Sequence, residues 1–463
     1  MKGYCMWANR SGELSARYGW FALAVLFVVA LFNYVDRSVL SIMQVALKRD
    51  LHLSDTQLGS LTGLSFAIFY TTGALPIAWV ADRIARKYVL TAALAIWTLM
   101  TAASSLATGF VSLSACRIGV ALGEAGCVPA THSLISDYFP RHKRALAMAI
   151  WGLSLPLGGM LGVYLGGRLT AAIGWRGAFA TIGLGGLVLA PLAALLLREP
   201  KRGRFDGAPV AGDTAKARNV WGSLAILWNL RSFRYLCLAE GLQAWAQTAM
   251  QAWNAPFYSR LHHMPLAHIA AALSLIIGLS GATGTFLGGA LANSLARRDV
   301  RWYMRIPAIA ALLTAPFALF QYYTPSLTWS LAAAIVPAAM VNVYMAPANA
   351  MSQSLVPADM RALTSAVLVL VVNVIGLGLG PLSVGALSDL LAHRYGVGDQ
   401  SLRYALATVA IPAVAAALLF LRSSIHLPKE LSPLHQAAKD PGGAAPQPIA
   451  TGSSRPRAAA SRP

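Results

Sequence analysis

Asp36 and Arg37 stand side by side inside an apolar stretch that runs from Phe21 to Leu47. Arg117 and Glu124 interrupt a second such stretch, seven residues apart. Seven residues make nearly two helical turns, so these two groups share a face, with Glu124 about 10 Å deeper. A charge at the centre of a bilayer costs roughly 2.5–3.5 kcal/mol on insertion scales. Four such groups in two segments therefore mark a working site if the segments cross a membrane. The chemistry open to them is proton exchange. Burial raises the pKa of a carboxylate and a nearby guanidinium lowers it. A carboxylate pulled both ways can gain or lose its proton when its partner moves. Asp36 and Arg117 fall at matching depth, and an ion pair between them is expected. Asp36, Glu124, Arg117 and Arg37 thus form the candidate proton-coupling set. The same residues could instead lock two helices together, or leave one arginine to bind an anionic solute.

The segments do read as membrane spans. Apolar residues make up 57% of the 463-residue chain and charged residues 12%, against about 25% charged in a soluble domain. Twelve stretches, from about 20–45 to about 402–421, approach or exceed the length a spanning helix needs. The expected fold is an all-α integral membrane protein of twelve transmembrane helices in two pseudo-symmetric six-helix bundles. Residues 1–19 form an N-terminal segment, 20–197 the first bundle, 198–234 a linker, 235–421 the second bundle, and 422–463 a disordered tail. With both termini cytoplasmic, 28 of the 37 Lys and Arg residues fall on the inside and seven on the outside. That bias sets the topology by the positive-inside rule. The net charge of +20 is therefore a topology signal. The basic residues are scattered over separate segments, and nucleic acid is not an expected partner. The cysteines and histidines lack metal-ligand spacing, so neither a metal nor a cofactor is expected. No nucleophile–base pair or phosphate-binding loop appears, and an enzyme is not expected.

The halves repeat. The loop Ala81-Asp82-Arg83-Ile84-Ala85-Arg86-Lys87 aligns with Ala292-Asn293-Ser294-Leu295-Ala296-Arg297-Arg298. Pro129, Pro140 and Arg144 align with Pro347, Pro357 and Arg361, and Gly158 and Gly162 with Gly376 and Gly380. Asp82, Arg83, Arg86, Lys87, Asp137, Arg297 and Arg298 are expected to form gate latches at the inner ends of the helices. Gln243, Gln247, Gln251 and Asn254 recur at spacings of three and four, which places them on one helical face with Glu240. Asn342, Asn349 and Gln353 form a second amide stripe. Polar groups inside a membrane need protein partners or a wet cavity. These amides, with Asn33, Tyr34 and Thr131, are the expected substrate-cavity set; interhelical hydrogen bonding is the competing role. Glu240 is a further candidate proton or substrate group. The Gly158, Gly162 and Gly166 series has the small-xxx-small spacing of close helix contacts, and Pro156 is expected to bend its helix.

Two six-span repeats are the layout of major facilitator transporters. The chain resembles that superfamily over residues 18–422, with Asp82-Arg83-Ile84-Ala85-Arg86-Lys87 similar to its diagnostic loop. Asn33-Tyr34-Val35-Asp36-Arg37, Gly123-Glu124-Ala125, Gly174-Trp175-Arg176 and Leu402-Arg403-Tyr404 resemble the bacterial spinster-like branch. The resemblance implies a proton-coupled secondary transporter working by alternating access in the bacterial inner membrane. It implies an amphipathic or anionic solute, such as a lysophospholipid. A drug-efflux antiporter and a small organic-anion symporter remain alternatives of the same fold, and a non-transporting sensor is a third. The expected partners are that solute, protons and membrane lipids, with the protein a monomer.

Overall fold

A computed structural model describes residues 16–81, 83–205, 220–357 and 360–439. Asp82, residues 1–15 and residues 440–463 lie outside the described residues. Regular structure among the described residues is helical throughout. The first half comprises α1 (Ala16–Leu51), α2 (Asp55–Thr62), α3 (Leu64–Ala81), α4 (Arg86–Ser104), α5 (Phe110–Glu124), α6 (Cys127–Tyr138), α7 (Arg141–Gly152) and α8 (Ser154–Leu196). A short helix in the linker, α9 (Val220–Asn229), leads to α10 (Arg231–Leu261), α11 (Leu266–Leu275), α12 (Gly281–Ala296) and α13 (Trp302–Tyr323). The chain ends in α14 (Leu327–Met340), α15 (Met345–Ser354), α16 (Arg361–Val371), α17 (Gly380–Tyr395), α18 (Gln400–Ala407) and α19 (Ala410–Lys439).

Among the described residues, ten helical stretches are long and apolar enough to cross a membrane. Two features bring the crossings to twelve. The stretch Arg141–Leu196 is 56 residues long and turns at Gly174, whose φ of 73° and ψ of 168° are not helical. It therefore crosses twice. That φ lies in the region glycine enters without penalty. The second feature is α10, 31 residues long and so about 46 Å. It spans readily, but its Glu, Gln and Asn stripe lowers its hydropathy below that of the other spans.

Several spans are interrupted near mid-length. α5 and α6 are separated at Ala125 and Gly126, and α14 and α15 at Val341–Tyr344. π-helical turns occupy Ile276–Ser280, between α11 and α12, and Val372–Leu379, between α16 and α17. Such interruptions are tolerated in membranes where they are buried in protein or line a cavity.

The core shows how the halves meet. One buried cluster, with Leu26, Trp97 and Leu134, belongs wholly to the first half. Another, with Phe233, Met304 and Phe420, belongs wholly to the second. A third joins Val39, Met43 and Leu58 to Trp253, Phe257 and Ala270. This shared cluster lies toward the end opposite the two termini. Gly59 sits there against α17, where a Cβ would come within 2.9 Å of Leu382 Cα. The halves are thus sealed by close packing at one end.

Two expectations change, and the glycine series finds its partner. The tail was expected to be irregular from residue 422, yet α19 continues to Lys439. Leu427 and Leu431 are buried there, and the Glu430 carboxylate accepts from the backbone N–H groups of Arg231 (2.9 Å) and Ser232 (3.0 Å) at the start of α10. Pro156 does not bend a helix interior. It lies in the first turn of α8, after the chain has already broken at Leu153, where a missing N–H costs nothing. Gly158 and Gly162 face Tyr34 and Val35 of α1, so this glycine series packs within the first half.

Candidate functional site

Asp36 and Arg37 are successive residues of α1 and therefore point about 100° apart. Asp36 turns into the first half, 1% exposed. It accepts from Thr101 Oγ1 of α4 at 2.8 Å and lies 3.8 Å from Arg117 Nη1 of α5. Arg37 turns toward the space between the halves. Its Nε donates to Glu124 Oε2 at 2.5 Å, and its guanidinium lies 4.5 Å from the Tyr70 ring centroid and 4.9 Å from that of Phe66. Glu124 is fully buried at the last residue of α5, beside the Ala125–Gly126 break. Its Oε1 has no hydrogen-bond partner, and neither do Arg117 Nε and Nη1. The expected Asp36–Arg117 pair is present but loose. The tight pair is Arg37–Glu124. Two carboxylates and two guanidiniums neutralise one another in a place where an unpaired charge is expensive.

A cavity of about 260 Å³ opens beside this set, between the halves. Tyr34, Arg37 and Arg117 line one wall; Gln247, Gln251 and Asn342 line the other; Phe66, Leu155, Ile277 and Leu377 add apolar surface. Gln247 Nε2 donates to Asn342 Oδ1 at 2.9 Å. By the repeat, Asn342 occupies the position of Glu124. An amide pair thus faces an ion pair across the cavity.

The other expected cavity residues lie elsewhere. Asn254 touches a smaller adjoining recess and accepts from Gln321 (3.2 Å) and Tyr322 (3.0 Å), an interhelical role. Asn33, Thr131 and Gln243 are buried and do not line the cavity. Asn349 is exposed and donates to Met345 O of its own helix; Gln353 donates to Ser365. Neither lines the cavity. Asn349 and Gln353 share a face of α15, but Asn342 lies in the break at Val341–Tyr344, so the three form no continuous stripe.

Of the expected latch residues, Arg86, Lys87 and Asp137 gather within the first half. Buried Arg86 pairs with Asp137 (2.5 Å) and Glu199 (2.8 Å) and donates to Ser133 Oγ (2.8 Å). The backbone N–H of Lys87 donates to Glu199 at 3.0 Å. Arg83 stacks on Trp79 of its own segment. Arg297 and Arg298 are exposed. In this conformation the cluster braces α4, α6 and the start of the linker and bridges no gap between the halves. Glu199 escaped the sequence reading because the linker's charges counted only toward topology.

A clasp at the opposite end also escaped it. Asp55, at the start of α2, accepts two bonds from Arg260 of α10 (2.7 and 2.8 Å), one from Lys48 (2.5 Å) and one from Ser388 (2.7 Å). Asp389 of α17 accepts from the N–H groups of Asp55 (3.0 Å) and Thr56 (2.7 Å), capping α2 from the other half. Among the described residues, the hydrogen bonds that join the halves lie here and at Thr71–Asn373. The signal was an acid and a base at opposing span ends, which only docking of the halves makes visible.

The chain matches the family profile described as Major Facilitator Superfamily over residues 26–381. It is 31% identical over 420 residues to an MFS-type efflux pump of Mycolicibacterium smegmatis, covering 90% of this chain and 95% of the relative. It is 24% identical over 428 residues to the sphingosine-1-phosphate transporter SPNS2 of Danio rerio, covering 87% and 84%. Among solved structures it superposes on a bacterial homologue of the human lysosomal transporter spinster, in an inward-facing and unoccupied conformation. The TM-score is 0.83 at 27% identity, over 90% of this chain and 99% of that one.

Proposed function

Because the chain belongs to the Major Facilitator Superfamily, we propose that it is a proton-coupled secondary transporter that moves an amphipathic or anionic organic solute by alternating access. The observation that carries the reading is the uneven pairing at the cavity wall. Glu124 is held tightly by Arg37 at 2.5 Å, while Arg117 stands 3.8 Å from Asp36, with neither its Nε nor its Nη1 in a hydrogen bond. Arg117 is the cation with capacity to spare for an anion. When an anionic group draws Arg117 or Arg37 to itself, a carboxylate loses its compensating charge in a low-dielectric site. It then takes a proton. Departure of the solute restores the ion pairs and expels the proton. Glu124, beside a helix break, and Asp36 are the carriers.

The clasp at Asp55, Arg260 and Asp389 holds the end opposite the termini shut. The Arg86–Asp137 brace would be free to meet the second half when the other end closes, together with Arg297 and Arg298. The Lys and Arg bias supports termini in the cytoplasm of a bacterial inner membrane; in that topology the conformation described is inward-facing. A monomer suffices for this cycle, since both walls of the cavity come from the one chain. The apolar wall beside two cations suits a lipid-like anion, and the similarity to a sphingosine-1-phosphate transporter supports that class. Export of hydrophobic compounds is the second reading, favoured by the similarity to an efflux pump.

Reconstituted in liposomes with a pH gradient, the protein is expected to drive net flux of a lysophospholipid or related anion and to acidify or alkalinise the lumen in step. Solute flux that ignores the gradient would remove proton coupling; no flux of any amphipathic anion would remove the substrate class.

A further inference from the structure

The second half holds a carboxyl group that the ion-pair scheme does not use. Glu240 of α10 is 3% exposed, and its Oε1 has no hydrogen-bond partner. One turn further, Gln243 is 1% exposed, and both its amide oxygen and nitrogen are unpartnered. One more turn brings Gln247, which lines the cavity. The ionisable neighbours of Glu240 are Cys237 of α10 and Tyr344, at the break between α14 and α15. The charged groups on the helices packed against α10 lie elsewhere. On α19, Arg422 and Lys429 are exposed, His426 stacks on Tyr235, and Glu430 caps α10. Arg361 opens α16 at the terminal end. His268 of α11, Arg403 of α18 and Asp389, His393 and Arg394 of α17 belong to the opposite end. Arg37 of α1 is committed to Glu124. No cation reaches Glu240 among the described residues.

An isolated carboxylate cannot stay ionised in such surroundings; it neutralises instead. We propose that Glu240 is a second protonation site, loaded with its proton in this conformation and exchanging it with the cavity through Gln243. The two halves then compensate their buried acids differently, one with arginines and the other with a proton. The site stands or falls independently of Glu124.

Infrared spectroscopy of the full-length protein in lipid tests this. At neutral pH the parent is expected to show a protonated-carboxyl stretch that shifts in deuterated buffer and is missing in Glu240→Gln. Gln243→Leu is expected to slow the shift while leaving the band. A Glu240→Gln spectrum that superimposes on the parent's, or a band that does not exchange, overturns the proposal. Should the variant misfold, the parent treated with dicyclohexylcarbodiimide gives a second measurement. A protonated carboxyl adds across the N=C=N unit, its proton going to one nitrogen and its oxygen to carbon. The resulting O-acylisourea rearranges to a stable N-acylurea with no atom lost. Peptide mass mapping is expected to find that adduct on Glu240; its absence there counts against the proposal.

Discussion

Glu124 has one guanidinium in contact and a second close by, and its free oxygen lies beside a helix break. Each pH unit of gradient supplies about 1.4 kcal/mol per proton, or roughly tenfold accumulation. Glu124→Gln is therefore expected to abolish gradient-driven accumulation while solute counterflow persists, a difference read directly in liposomes. Arg117→Lys keeps the charge but loses the planar fork that meets phosphate or carboxylate. It is expected to weaken binding of an anionic solute by about tenfold and to leave a neutral analogue unaffected, as calorimetry would show. The four charges were legible in the sequence because each interrupts an apolar run. Which arginine grips which acid was not. Asp36 and Arg37 differ by one residue, and only the rotation of α1 within its bundle decides which one faces the cavity.

At the scale of elements, hydropathy located the spans, and the polar stripe explained why α10 is the least apolar of them. The breaks were harder to see. Nothing in the spacing of Asn342, Asn349 and Gln353 signalled that the helix is interrupted after Met340. The junction of α10 and α11 offers a test by pH. His262 packs against Phe257 and Tyr258, and burial, with Arg403 and His263 nearby, lowers its pKa from the ordinary 6.5. Its neutral form is the one the folded junction prefers. That contribution is complete above pH 6.5 and is lost as the pH falls through the lowered value. Hydrogen exchange at the junction is expected to quicken on mild acidification in the parent and not in His262→Gln.

For the whole molecule, the clasp decides which end is open. Asp55 carries two cations and a hydroxyl, and Arg260 comes from the other half. Breaking a buried pair costs about 3–5 kcal/mol; partial exposure of Lys48 and Arg260 reduces this to about 2 kcal/mol here. Asp55→Asn is thus expected to raise the population open at that end by roughly thirtyfold. Spin labels on α2 and α17 would register the longer distance, and an unchanged distance distribution would show the apolar seal to be sufficient alone. The two-bundle plan was legible from the repeat. The clasp was not, because charges at span ends carry topology and contact information at once, and the sequence does not separate them.

The turn at Gly174 has a bearing on where this chain tolerates change. The fifth and sixth crossings meet there with no loop between them, and Trp175 and Arg176 are both bonded to Asp50. One inserted residue would rotate the following crossing by about 100°, turning its lipid-facing side into the core. Length variation among descendants of this chain, and any epitope grafted onto it, should therefore avoid that corner.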